Sequence, residues 1–97
     1  MPDERPKATS KLLQETERVI VTEWRFDPGA NTGWHRHDHD YVIVPIKDGK
    51  LRLLEPGDVI RDVPLQQGVP YFRKAGVEHD VINPNAGEFA FIEVEIR

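Results

Sequence analysis

From residue 19 onward the chain is a succession of short β-forming runs, each closed by glycine, proline or asparagine before a helix of ordinary length can form. Residues 19–26 are rich in β-branched and aromatic side chains and end at Asp27, Pro28 and Gly29. Runs at 41–46, 50–54, 59–65, 70–74, 78–82 and 89–96 follow, with Asp48 and Gly49, then Pro56, Gly57 and Asp58, among the residues between them. Proline lacks the N–H that a helix or ladder needs, and glycine admits the positive φ of tight turns, so these residues punctuate strands. The Asp48-Gly49 pair predicts a hairpin joining 41–46 to 50–54. Strands at this spacing predict an all-β sandwich or barrel. Residues 1–12 differ: they predict a flexible arm ahead of a β-barrel domain over 13–97, with residues 10–14 making at most one helical turn.

The four histidines fall in two tracts, His35, His37 and His39 in one and His79 in the other. His35 and His37 are two apart, so in an extended strand both imidazoles leave one face, with α-carbons about 7 Å apart. That is close enough to converge on one ion, and His79 is available as a third ligand from another strand. Neutral imidazole binds first-row divalent ions well. Ideal alternation would also put His39 on that face. Spacing alone leaves its part open, and the family resemblance given next implies that it lies beyond the ligands or exposed.

A frame of glycine and asparagine surrounds both tracts. The first reads Gly29, five residues, His35 and His37, then a β-rich run to Gly49; the second reads Gly68, five residues, Lys74 and Gly76, then His79 and Asn83. In order and spacing this frame resembles the two motifs of the cupin superfamily over residues 29–83. The resemblance implies a single-domain antiparallel β-barrel of jelly-roll type, with the glycines in positive-φ turns and His35, His37 and His79 around a divalent transition metal such as Fe, Ni, Mn or Zn. Thr22 to Phe26, Thr32 to His37, Asp40 to Pro45 and Lys74 to His79 resemble the small single-domain cupins of β-alanine degradation. Two positions depart from the pattern. Tyr41 or Val42 stands where a glutamate ligand is expected, and Lys74 stands in place of proline. A ligand set without glutamate resembles the three-histidine centres of the thiol and diketone dioxygenases.

The 97 residues suffice for one core, although a chain of this size buries only about two-thirds or less of its extended surface. Residues 89–96 are apolar on both faces at their start and 19–26 are similarly two-faced, which predicts a homodimer joined through these strands. There is no cysteine, which excludes disulfides and thiolate chemistry. A net charge of −4 argues against nucleic acid as a partner. No signal-like or membrane-spanning apolar run is present, so the expected location is cytoplasmic, with no membrane association.

Several other residues have two readings. Trp24 and Trp34 are packing residues, or Trp34 walls the metal pocket. Tyr41 either turns its hydroxyl toward the ion or is a core residue with its hydroxyl at the barrel mouth. Asp38, Asp40 and Asp80 cap backbone, or they hold imidazole tautomers. Arg25, Arg52 and Arg73 are candidates for an anion-binding wall. No unambiguous carboxylate base accompanies the ligands. Two functions stay open: a metal-dependent enzyme, dioxygenase-like or otherwise, acting on a small anionic metabolite such as a carboxylate, or a metal-dependent binding or sensing module without turnover.

Overall fold

The computed structural model describes residues 5–97, which hold strands and turns but no helix. In chain order the strands are β1 (Thr9–Glu15), β2 (Val19–Phe26), β3 (His35–Arg36), β4 (Asp40–Pro45), β5 (Gly49–Glu55), β6 (Val59–Leu65), β7 (Tyr71–Arg73), β8 (Glu78–Ile82) and β9 (Phe89–Ile96). They form a five-stranded sheet in the order β1-β2-β9-β4-β7 and a four-stranded sheet in the order β3-β8-β5-β6. Every strand pair is antiparallel. The expected all-β jelly-roll barrel is the observed architecture.

Inward-facing residues of the two sheets build the core: Phe26, Tyr41, Ile43, Leu51, Leu53, Leu65, Val81, Phe89 and Phe91. Phe26 and Phe91 pack with ring centroids 5.6 Å apart. Each side chain of this size contributes about 1.5–3 kcal/mol on leaving water. Asn83, fully buried, ties three segments together. Its Nδ2 donates to the carbonyls of Phe26 (3.1 Å) and Gly87 (2.9 Å), and its Oδ1 accepts from the Asn85 N–H (2.8 Å). The carbonyls and N–H satisfied in this way lie where β2 ends and β9 approaches, beyond the reach of the sheet ladders.

Residues 9–12 of the expected arm and the expected helical turn at 10–14 belong instead to strand β1, paired to β2 from Thr9↔Arg25 to Glu15↔Ile20 with a bulge between Leu12 and Gln14, while residues 1–4 of that arm lie outside the described residues. Without this strand the backbone groups on one edge of β2 would face solvent unpaired. A short helical turn, with its costly nucleus, offers less. The Asp48-Gly49 hairpin does not form either: β4 lies in one sheet and β5 in the other. Asp48 instead accepts the Gln67 N–H at 2.8 Å. Gly29, Gly68 and Gly76 have the expected positive φ, but Gly49 does not. Its requirement is space, since a Cβ there would lie 2.9 Å from the Phe89 ring.

β2 and β9 lie next to each other inside the larger sheet, so neither is an edge. On the outer face a row runs in register through Val21, Val94, Val42 and Phe72. On the inner face β9 presents Phe89, Phe91, Glu93 and Glu95 in succession, grading from aromatic core to carboxylate. No helix among the described residues is long and apolar enough to cross a membrane.

Candidate metal centre

His35 and His79 are direct partners in the β3–β8 pairing, so their side chains leave the same sheet face side by side. His37 lies just past β3. Its N–H donates to the Val77 carbonyl (2.9 Å) and its own carbonyl accepts from the Gly76 N–H (2.7 Å), fixing it against the turn that leads into β8. Gly33, at φ +85°, turns its carbonyl to within 2.9 Å of His35 Nδ1. A carbonyl can only accept, so Nδ1 carries the proton and Nε2 keeps its lone pair for the interior.

The Nε2 atoms converge: His35 to His37 is 2.9 Å and His37 to His79 is 3.1 Å. Burial, then the neighbouring His35 ring, pulls the His37 pKa down to about 4. Burial and the neighbouring histidines pull His79 to about 3. Both rings are therefore neutral at neutral pH, the form that ligates metal. The three side chains could hold a metal ion. With a metal–nitrogen distance of about 2.1 Å, a right angle at the ion separates two nitrogens by about 3.0 Å, whereas a tetrahedral angle separates them by about 3.4 Å. At 2.9 and 3.1 Å the two Nε2 separations are of the size that ligands of one ion require.

The other candidates divide. Tyr41, 2% exposed, belongs to the core and also touches the centre, its ring stacked on His37 with centroids 3.9 Å apart. Asp80 accepts the Gly33 N–H (3.0 Å) and Asn31 Nδ2 (3.0 Å), and Asp40 accepts the Ala75 N–H (2.8 Å). Both aspartates hold backbone turns and make no recorded bond to an imidazole. Asp38 is exposed beside Arg36. His39 lines the cavity but lies outside the converging group. Trp34 neither packs in the core nor walls the cavity, being 54% exposed, while Trp24 does both. Arg25, Arg52 and Arg73 pair with Glu23 and Glu88, Asp62, and Glu55 respectively, and none lines this cavity.

The histidines form part of the wall of a cavity of ≈ 390 Å³, shared with Trp24, Tyr41, Leu53, Val81, Glu93 and Glu95 among others. Glu93 is 8% exposed and is the acidic side chain that the sequence reading did not find. Burial, then the charge of Glu95, raises its pKa to about 7. Its strand parity with Phe91 was legible. Which face of β9 turned inward was not, because the opposite face is the more apolar.

Known proteins share these features. The cupin domain profile matches residues 22–95. The chain is 57% identical over 93 residues to the "Beta-alanine degradation protein BauB" of Pseudomonas aeruginosa, covering 96% of this chain and 97% of that one. It is 25% identical over 87 residues to an oxalate-binding protein of Thermotoga maritima, covering 90% and 69%. A crystal structure of a cupin domain from Bordetella pertussis superposes with a TM-score of 0.94 at 50% identity over 99% of both chains. The polyketide cyclase RemF of Streptomyces resistomycificus shares the fold at a TM-score of 0.73 and 21% identity, over 97% of this chain and 70% of that one. With two histidine-bearing motifs, two facing antiparallel sheets and a profile match across most of its length, the chain belongs to the cupin family.

Proposed function

We propose that His35, His37 and His79 hold one divalent transition ion, and that the protein uses it to capture a small carboxylate-bearing metabolite for chemistry in the adjoining cavity. The observation that carries this reading is the convergence of Nε2 atoms at 2.9 and 3.1 Å on the cavity wall. When bound, the ion supplies a positive charge to hold and polarise an anionic oxygen. The chain's own part is to keep the His37 and His79 imidazoles neutral by burial, to fix His35 through the Gly33 carbonyl, and to line the ligand's remaining surface with Leu51, Leu53, Val81 and Phe91. The relative from Pseudomonas, whose name links it to β-alanine degradation, supports a metabolite of that chemistry.

The name of the Thermotoga relative favours a second reading, a binding module without turnover. To separate the two, protein purified without an affinity tag is analysed for metal, loaded separately with ferrous iron, nickel, manganese and zinc, and offered small carboxylates, amino acids, thiols and diketones. One ion per chain, with product formation or oxygen uptake, is the expected result. Saturable binding without turnover under every ion would select the binding module, and no uptake of any ion would refute the metal centre.

The protein is further proposed to work as a homodimer in the cytoplasm. The row of Val21, Val94, Val42 and Phe72 supports the dimer by placing an apolar strip across the outer face of the larger sheet, with Phe72 52% exposed. Light scattering at micromolar concentration is expected to give about twice the chain mass of 11.2 kDa. A mass of one chain would show that this face is left to solvent.

A further inference from the structure

We propose that Glu93, with Glu95 beside it on β9, is a recognition site for a protonated amine, so that the cavity's ligand is a small amino acid with its carboxylate toward the histidines and its ammonium toward β9. This rests on the metal centre proposed above and names the ligand class for it.

Glu93 sits on the inner face of β9, opposite Thr22 of β2 on one side and Ile43 of β4 on the other. Leu51, Leu53 and Val81 of the facing sheet line the same cavity. A carboxyl group in such surroundings needs a compensating partner. Apart from the histidines, the cationic side chain lining the cavity is Arg36, which is exposed and engaged with Asp38. Arg61 and Arg73 pair with Glu55 and do not line it. Besides Asp38, which meets Arg36, the wall therefore carries Glu93 and Glu95 with no further lysine or arginine among the described residues lining the cavity to meet them.

Two further groups point to a ligand. The Tyr41 hydroxyl is buried, and the residue lines the cavity at 2% exposure, yet the hydroxyl has no partner among the described residues. Trp24 Nε1, also buried, makes no hydrogen bond of ordinary geometry, although it lies close enough to Glu93 to favour the carboxylate form. Buried polar groups are nearly always satisfied, so unpaired ones on a cavity wall mark where a ligand's atoms belong. Tyr41 is stacked on His37 and therefore marks the metal end. Glu93 lies one pleat away, since Tyr41 is level with Glu95 and Ile43 with Glu93, a step of about 7 Å.

Charge balance selects the ligand. With Glu93 ionised, the state an ammonium beside it would hold, a divalent ion on three imidazoles brings two positive charges and the two glutamates bring two negative ones, so an overall neutral zwitterion leaves the site neutral. A simple carboxylate leaves one negative charge in excess and a dicarboxylate leaves two, in a poorly solvated cavity where uncompensated charge is costly. The ammonium of an amino acid also separates Glu93 from Glu95 electrostatically.

The test is calorimetric titration of manganese-loaded and ion-free protein with glycine, 3-aminopropanoate, propanoate and malonate. At least one of the two amino acids is expected to bind about tenfold or more tightly than propanoate, with malonate weakest. Glu93→Gln is expected to remove that preference while propanoate binding and manganese uptake persist, and Glu95→Gln to weaken it less. Propanoate or malonate binding as tightly as the amino acids, or a preference surviving in Glu93→Gln, overturns the proposal. Should the variant fail to fold, the wild-type ratio of 3-aminopropanoate and glycine to propanoate decides. Metal content of the same samples keeps the two readings apart: no manganese uptake refutes the centre, whereas uptake without amine preference refutes the role of Glu93. Because the ratio is measured with and without the ion, either outcome at the histidines still leaves the amine site decided.

Discussion

His79→Ala protein is expected to lose retention of a divalent ion, with affinity falling by more than about 100-fold, since loss of an outer hydrogen-bonding partner alone costs roughly 10–100-fold. His79 is directly opposite His35 and its Nε2 is 3.1 Å from that of His37, so its removal leaves two nitrogens where three converge. Folding should survive, because the His79 Nδ1 atom has no partner among the described residues to be orphaned by the change. His39→Ala serves as the comparison. That residue lines the same cavity outside the converging group and should retain the ion at the wild-type stoichiometry. Elemental analysis after dialysis against a weak chelator reads both variants. Equal metal content in wild type and His79→Ala would move the site elsewhere.

The strands were legible where side-chain pattern and turn residues act within a few positions. β2, β6, β8 and β9 lie where β-branched and aromatic runs meet Gly, Pro or Asn. β1 was not legible, because Thr9–Glu15 is exposed throughout and owes its extended form to the edge of β2, a tertiary cause. The Asp48-Gly49 signal specified a turn but not which sheet the chain entered next, since strand partnership depends on residues far along the sequence. The same limit applies to the histidines. Spacing placed His35 and His37 near each other, but the pairing of His35 with His79 came from motif resemblance and not from any local period. Glu93 was hidden by a competing rule. Ala90, Ile92 and Val94 make the more apolar face of β9, and the fold turns that face outward in order to line the cavity with carboxylates.

Acidification is expected to destabilise the ion-free protein in two stages. His37 and His79 titrate at about 4 and about 3 in the folded state, against an ordinary value of 6.5. From pH 6.5 downward the unfolded chain therefore binds protons that the folded chain refuses, and stability falls until each folded pKa is passed. Glu93 acts in the opposite sense. Its folded pKa of about 7 lies above the ordinary 4.5, so the folded chain takes up that proton first and stability rises as pH falls from 7 to 4.5. Over pH 6.5 to 4.5 the glutamate offsets part of the histidine loss; below 4.5 the offset is complete and the histidines act alone. The profile should thus be shallow to about pH 4.5 and steep beneath it, with a total loss on the order of several kcal/mol at about 1.4 kcal/mol per pKa unit. That is comparable with the whole stability of a small domain, about 5–15 kcal/mol. Denaturant titrations from pH 8 to about 2.5 measure it, and Glu93→Gln should steepen the upper stage by removing the offset. Bound ion should raise the curve at neutral pH and be lost on acidification, because protons compete for all three imidazoles. A flat profile between pH 7 and 4 in the ion-free protein would show that the imidazoles are not held neutral by burial.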